Sequence, residues 1–143
     1  MKNVSEAALA LVVVLALGAG SWLYTGEDLG SGGTTATTTP VAVDPEAAAR
    51  GMQLANDTGC LACHSVDGST GTGPTWKGVA GASRPLESGE SVTADAAYLF
   101  SSIVDPGVQI LAGFSDVMPA DYSDQLTEAE INDLVAYIQS LAN

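Results

Sequence analysis

Apolar and small residues run unbroken from Ala7 to Tyr24. As a helix this stretch would span about 27 Å, enough to cross the hydrocarbon core of a bilayer. Trp22 and Tyr24 close it, where amphipathic rings favour the membrane interface. Lys2 precedes the run and Glu27 and Asp28 follow it, a weak charge asymmetry that places the rest of the chain outside the cytoplasm. Residues 1–24 therefore predict a membrane anchor. A cleaved signal peptide competes with it, because Ala16–Ser21 offers small residues for processing, but Trp22 and Tyr24 suit an anchor better. Either way the remainder is exported. Over residues 25–43 the pattern gives way to Gly, Ser, Thr and Pro, with Thr34, Thr35, Thr37, Thr38 and Thr39 clustered. So little apolar surface cannot offset the entropy of ordering, and the segment predicts a flexible linker with a reach of at most about 65 Å.

From residue 44 to residue 143 the pattern is that of one helical domain. Asp44-Pro45-Glu46 carries a helix start, with Asp as N-cap, Pro at the first helical position and an acid in the first turn. Ala47–Ala55 continues that helix and Asn56–Gly59 ends it. A second helix is expected from Thr93, as N-cap, to Val104, with Leu99, Phe100 and Ile103 on its apolar face and Pro106 as its stop. The third is the clearest. Thr127 and Glu130 make a capping box, Leu126 is placed to staple onto Ile131, and Ile131, Leu134, Val135, Ile138 and Leu141 recur at helical spacing. Gly-rich stretches between them, such as Gly68–Gly73, are too irregular for a sheet. The expected class is all-α.

Composition narrows the function. Basic residues number 4 and acidic residues 17, for a net charge of −13. That excludes a reader of the nucleic-acid backbone, whose affinity comes from Lys and Arg. Two cysteines and one histidine exclude a zinc finger, an iron–sulfur cluster and a multi-disulfide scaffold. Mean hydropathy is +0.23, in keeping with a segment that meets lipid.

Both cysteines and the histidine fall in Cys60-Leu61-Ala62-Cys63-His64, the C-x-x-C-H pattern of covalent heme attachment. The spacing has a physical basis. Two thiols reach the two vinyl groups on one porphyrin edge, and the next side chain turns under the ring to offer an imidazole to iron. A redox disulfide would need a surrounding βαβ pattern, which is not readable, and zinc would have only three strong ligands. Cys60, Cys63 and His64 thus predict one heme c. Of the methionines, Met118, followed by Pro119 in a loop before the last helix, is the expected second axial ligand to iron. Met52, twelve residues before His64 on the first helix, is expected to fill the core. A neutral thioether favours ferrous iron and raises the potential. In Gly73-Pro74-Thr75-Trp76, the Pro74 carbonyl is placed to accept from the His64 Nδ1–H and Trp76 to pack beside the porphyrin; the bland alternative is a simple turn with a core Trp. Gly51 and Tyr137 mark an expected close contact of the first and last helices.

Taken in order, Cys60–His64, Gly73-Pro74, Met118-Pro119 and the terminal helix with Tyr137 resemble the class I c-type cytochromes, over about Asp44 to Asn143. Gly59–Gly68, Gly73–Gly78 and Val92–Asp95 look most like the cytochrome c domain fused to subunit II of some bacterial heme–copper oxidases. The binuclear copper centre of those subunits needs two further Cys and two His, which this chain lacks. The resemblance implies a small all-helical fold around one heme, standing alone behind a single anchor and carrying single electrons. The leading function is a respiratory carrier or complex subunit on the outer face of the membrane, taking electrons from a quinol-oxidising complex and passing them to a terminal oxidase. No acid–base chemistry and no small-molecule substrate are implied. A heme subunit of a periplasmic dehydrogenase is the alternative; a gas-binding sensor would need an open sixth position, against which Met118 argues. Residues 44–143 hold fourteen acids against Arg50, Lys77 and Arg84, so docking must be apolar or use basic patches on the partner.

Overall fold

The computed structural model describes residues 42–142. The expected anchor, residues 1–24, and the expected linker as far as residue 41 lie outside the described residues. Among the described residues no helix is long and apolar enough to cross a membrane.

Helix α1, Pro45–Asp57, starts as its sequence dictates: the Asp44 carboxylate accepts from the Glu46 N–H at 2.9 Å, and Pro45 occupies the first turn. It stops where Thr58 folds both its N–H and its hydroxyl back onto the Leu54 carbonyl and Gly59 turns left-handed at φ 77°. The buried face of α1 is made of small residues, Ala48, Gly51 and Ala55, and lies against α4, Glu128–Ser140. A Cβ on Gly51 would fall onto the Asp133 backbone carbonyl and the Tyr137 Cβ, so this crossing is too close for any other residue. Beside it, Arg50 grips Asp133 through two hydrogen bonds of 2.7 and 2.8 Å. That fork holds the Asp133 carboxyl below its ordinary range.

Helix α4 opens on the expected capping box. Thr127 Oγ1 accepts from the Glu130 N–H, and Glu130 Oε2 accepts from the Thr127 N–H at 2.8 Å. Its Ile131, Leu134, Val135, Tyr137 and Ile138 are buried, while Leu126 and Leu141 pack at the core margin. Helix α2, Ala96–Val104, adds Leu99 and Ile103 to the core, with Phe100 partly buried. A single turn, α3, spans Tyr122–Gln125.

Two expectations are corrected here. The N-cap of α2 is Asp95, whose carboxylate accepts from the Tyr98 N–H at 2.8 Å, and not Thr93. Thr93 is drawn instead into a short antiparallel ribbon of β1, Ser83–Pro85, and β2, Ser91–Thr93, where it pairs with Ser83. Ala94 then bonds back to Ala82 and Gly81, so the helix cannot begin before Asp95. The ribbon itself was not expected. It pins the loop that follows α2, because Glu87 N donates to the Ile110 carbonyl and Ala112 N to the Pro85 carbonyl. Met52, expected in the core, is 48% exposed: on α1 it falls away from the face buried against α4.

Candidate heme site

Gly59, in its left-handed conformation, ends α1 and starts the tight turn Cys60–Ala62. His64 N and Cys63 N both donate to the Cys60 carbonyl, so the C-x-x-C-H segment is one compact coil. Cys60 is buried and Cys63 is exposed, and no disulfide joins them. Thr58 Oγ1 lies 3.2 Å from Cys60 Sγ.

The chain then returns to His64. The Pro74 carbonyl sits 2.8 Å from His64 Nδ1. A carbonyl only accepts, so Nδ1 carries the proton and Nε2 is left with its lone pair free. Burial pushes the His64 pKa below its ordinary value, although the Pro74 carbonyl acts the other way. Both features favour a neutral imidazole whose bare nitrogen is a metal donor. The return is held by Gly73 N to the Cys63 carbonyl at 3.0 Å and Trp76 N to the Ser65 carbonyl at 2.8 Å. It passes so close that a Cβ on Gly73 would lie 2.5 Å from His64 Cε1 and 2.8 Å from Nδ1. Trp76, 8% exposed, stacks on the imidazole with ring centres 5.1 Å apart and planes 23° from parallel, and meets Tyr137 edge-on at 6.0 Å.

Cys60, Cys63, His64, Pro74, Trp76 and Met118 all line one cleft. Apolar side chains complete it, among them Val79, Leu99, Ile103, Phe114 and Ile138. Met118 is half-buried and comes from the loop that the ribbon pins. Two of the cleft's residues went unnoticed in the sequence as part of a site: Tyr122, from the isolated turn of α3, and Arg84, from the ribbon. The only sequence signal for Arg84 is that basic residues are so few.

Among the described residues no group of three or more His, Cys, Asp and Glu side chains is placed to hold a metal ion by itself. An iron here must come inside a ring, and the residues fit one: two thiols beside an apolar slot, and an imidazole with an open Nε2. The chain therefore holds one heme c, bonded covalently through Cys60 and Cys63 with His64 as a ligand of its iron. The bound group supplies a one-electron iron couple; the protein holds it, orients the imidazole and keeps water from the slot.

The family model for cytochrome c matches residues 48–142. No curated protein matches the chain. An all-helical frame around a C-x-x-C-H coil that holds one heme is that of an electron-transfer protein. The chain belongs to the cytochrome c family, and its fold is the class I fold.

Proposed function

We propose that this cytochrome is a one-electron carrier of a respiratory chain, with His64 and Met118 as the two axial ligands of its iron. It is tethered to the outer face of the membrane by residues 1–24, and takes electrons from a quinol-oxidising complex and delivers them to a terminal oxidase, as a tethered carrier or a subunit of one of them. The observation that carries the ligation is the placing of the Met118 side chain in the same cleft as His64, whose Nδ1 is already committed to Pro74. An imidazole that donates from Nδ1 is a more basic ligand, and a thioether is a soft, neutral one; together they set a potential suited to the high-potential end of a respiratory chain. Pro74 orients the His64 ring and Trp76 walls the pocket. The partners are supported by the likeness of Gly59–Gly68 and Gly73–Gly78 to the oxidase-fused cytochrome domain, and the placement by the apolar run Ala7–Tyr24.

Ligation is tested by ferrous spectra with and without carbon monoxide. The wild type is expected to exclude it, and Met118→Ala to bind it and to lose the weak sulfur-to-iron band at the red end of the ferric spectrum. Equal binding by both removes Met118 from the iron. Partners are tested by co-purification from detergent-solubilised membranes: an oxidase or a quinol-oxidising complex supports the assignment, and a dehydrogenase subunit replaces it.

A further inference from the structure

The imidazole of His64 is held at one edge and on one face. Its Nδ1 meets the Pro74 carbonyl at 2.8 Å, which fixes the direction of Nε2 but leaves the tilt of the ring plane open. Trp76 closes that freedom: its indole lies over the imidazole with ring centres 5.1 Å apart and planes 23° from parallel. The indole is itself immobile. It is 8% exposed, and Tyr137 of α4 meets it edge-on at 6.0 Å. The Trp76 N–H donates to the Ser65 carbonyl at 2.8 Å, and the Trp76 carbonyl accepts from Val79 N at 3.2 Å. Filling this space does not require an electron-rich ring. The face of an aromatic ring carries partial negative charge and attracts positive charge laid over it, indole most strongly. An imidazole gives up more electron density to ferric than to ferrous iron, so the positive charge beneath the indole grows on oxidation.

We propose that Trp76 is a positioning residue for the axial imidazole: its stacked indole sets the plane of the His64 ring and favours the oxidised iron, holding the midpoint potential below the value that the ligands alone would give. This rests on the heme held by Cys60, Cys63 and His64, and on neither Met118 as a ligand nor any of the partners proposed above. The sign of the effect separates it from simple packing. Trp76 also lines the cleft, so a smaller side chain there admits water. Water near the heme favours the more highly charged ferric state and lowers the potential. Loss of the stack acts the other way and raises it. A Trp76 that only filled space would lower the potential when truncated; a Trp76 that acts on His64 raises it.

The test is a redox titration of the holoprotein for wild type, Trp76→Phe and Trp76→Leu, each also made together with Met118→Ala. Trp76→Leu is expected to raise the midpoint potential. Trp76→Phe, which keeps a ring with a weaker face, is expected to raise it less, although both lower the melting temperature. Heme methyl shifts in the ferric paramagnetic NMR spectrum follow the plane of the axial imidazole. Their order is expected to survive in Trp76→Phe and to change in Trp76→Leu. The rise in potential is expected to persist beside Met118→Ala, because it arises on the His64 side of the iron. The proposal is overturned by a Trp76→Leu potential equal to or below that of the wild type, or by a larger rise in Trp76→Phe than in Trp76→Leu. It is overturned equally by methyl shifts in one order for wild type and Trp76→Leu, or by a rise that vanishes beside Met118→Ala. Should Trp76→Leu not fold, Trp76→Phe decides: a potential at or below the wild type overturns the proposal. Met118 ligation is read separately, from the red-end sulfur band of the wild type and Met118→Ala, so its failure leaves the Trp76 result standing.

Discussion

Gly73→Ala puts one methyl group against the imidazole that the whole site depends on. The added Cβ would lie 2.5 Å from His64 Cε1, 2.8 Å from Nδ1 and 3.0 Å from Nε2, closer than carbon atoms tolerate. The Gly73 backbone is itself fixed by its bond to the Cys63 carbonyl, so the ring must yield. It cannot tilt without leaving the Pro74 carbonyl, now 2.8 Å from Nδ1, and without disturbing its stack on Trp76. Overpacking of this kind costs about 1–3 kcal/mol, and a half-buried N–H stripped of its acceptor about 1–3 kcal/mol more. Partial relaxation brings the sum to about 2–4 kcal/mol, and at about 4–8 °C per kcal/mol for a domain of this size the melting temperature should fall by about 8–32 °C. A second signature separates this from generic damage. An imidazole that no longer donates from Nδ1 is a poorer electron donor to iron, so the midpoint potential should rise. Gly51→Ala serves as the control: its Cβ strikes the Asp133 carbonyl at the α1–α4 crossing, so it should lower the melting temperature while leaving potential and spectrum as they were. Thermal melts and redox titrations of the two holoproteins decide the matter. If Gly73→Ala melts and titrates like the wild type, the close return over His64 does not hold the ring.

Cys60→Ala with Cys63→Ala is expected to yield little folded protein, because the apolar walls of the cleft then face water; a heme-free chain with native helix content and a cooperative melt would refute this. Asp133→Asn should destabilise the domain at neutral pH. The Asp133 carboxyl is depressed by Arg50, so its contribution is present above the ordinary carboxylate range and lost as pH falls through the lowered pKa; melts of variant and wild type should converge in acid, and a constant gap would show the charge to be irrelevant. Removing residues 1–43 should slow oxidase reduction in dilute membranes and restore it at high protein concentration, since a tether acts by raising effective concentration; equal dilute rates for both forms would show that it has no kinetic role.

The helix ends were legible because capping is local chemistry. Asp44 before Pro45, and Thr127 three residues before Glu130, carry their partners within one turn. The α2 start was not: Asp95 is the stronger cap of the two, and the pairing of Thr93 with Ser83, ten residues back, also takes Thr93 out of the helix. That pairing left no periodic trace: three-residue strands, one of them ending in proline, show no alternation to read. The Pro74 acceptor for His64 was legible because it lies in a short loop ten residues on, whereas the close pass of Gly73 and the stack of Trp76 on the imidazole show only in three dimensions. Met52 misled because a methionine on an amphipathic helix reads as core, whereas α1 buries only the small side of its face.

What the sequence kept hidden is concentrated in the ribbon, and the ribbon does two things for the site. Its outer turn and Pro85 bond to Ile110 and Ala112, which anchors the loop that carries Phe114 and Met118 along the cleft. Its inner strand brings Arg84, one of three cations in a domain with fourteen acids, to the wall of that same cleft. A surface so acidic has no cations to spare for a docking ring. Val117, beside Met118, is apolar and exposed. Long-range attraction must then come from basic groups on the partner and close contact from apolar surface here, so salt should slow encounter of the free domain more than it weakens the docked complex.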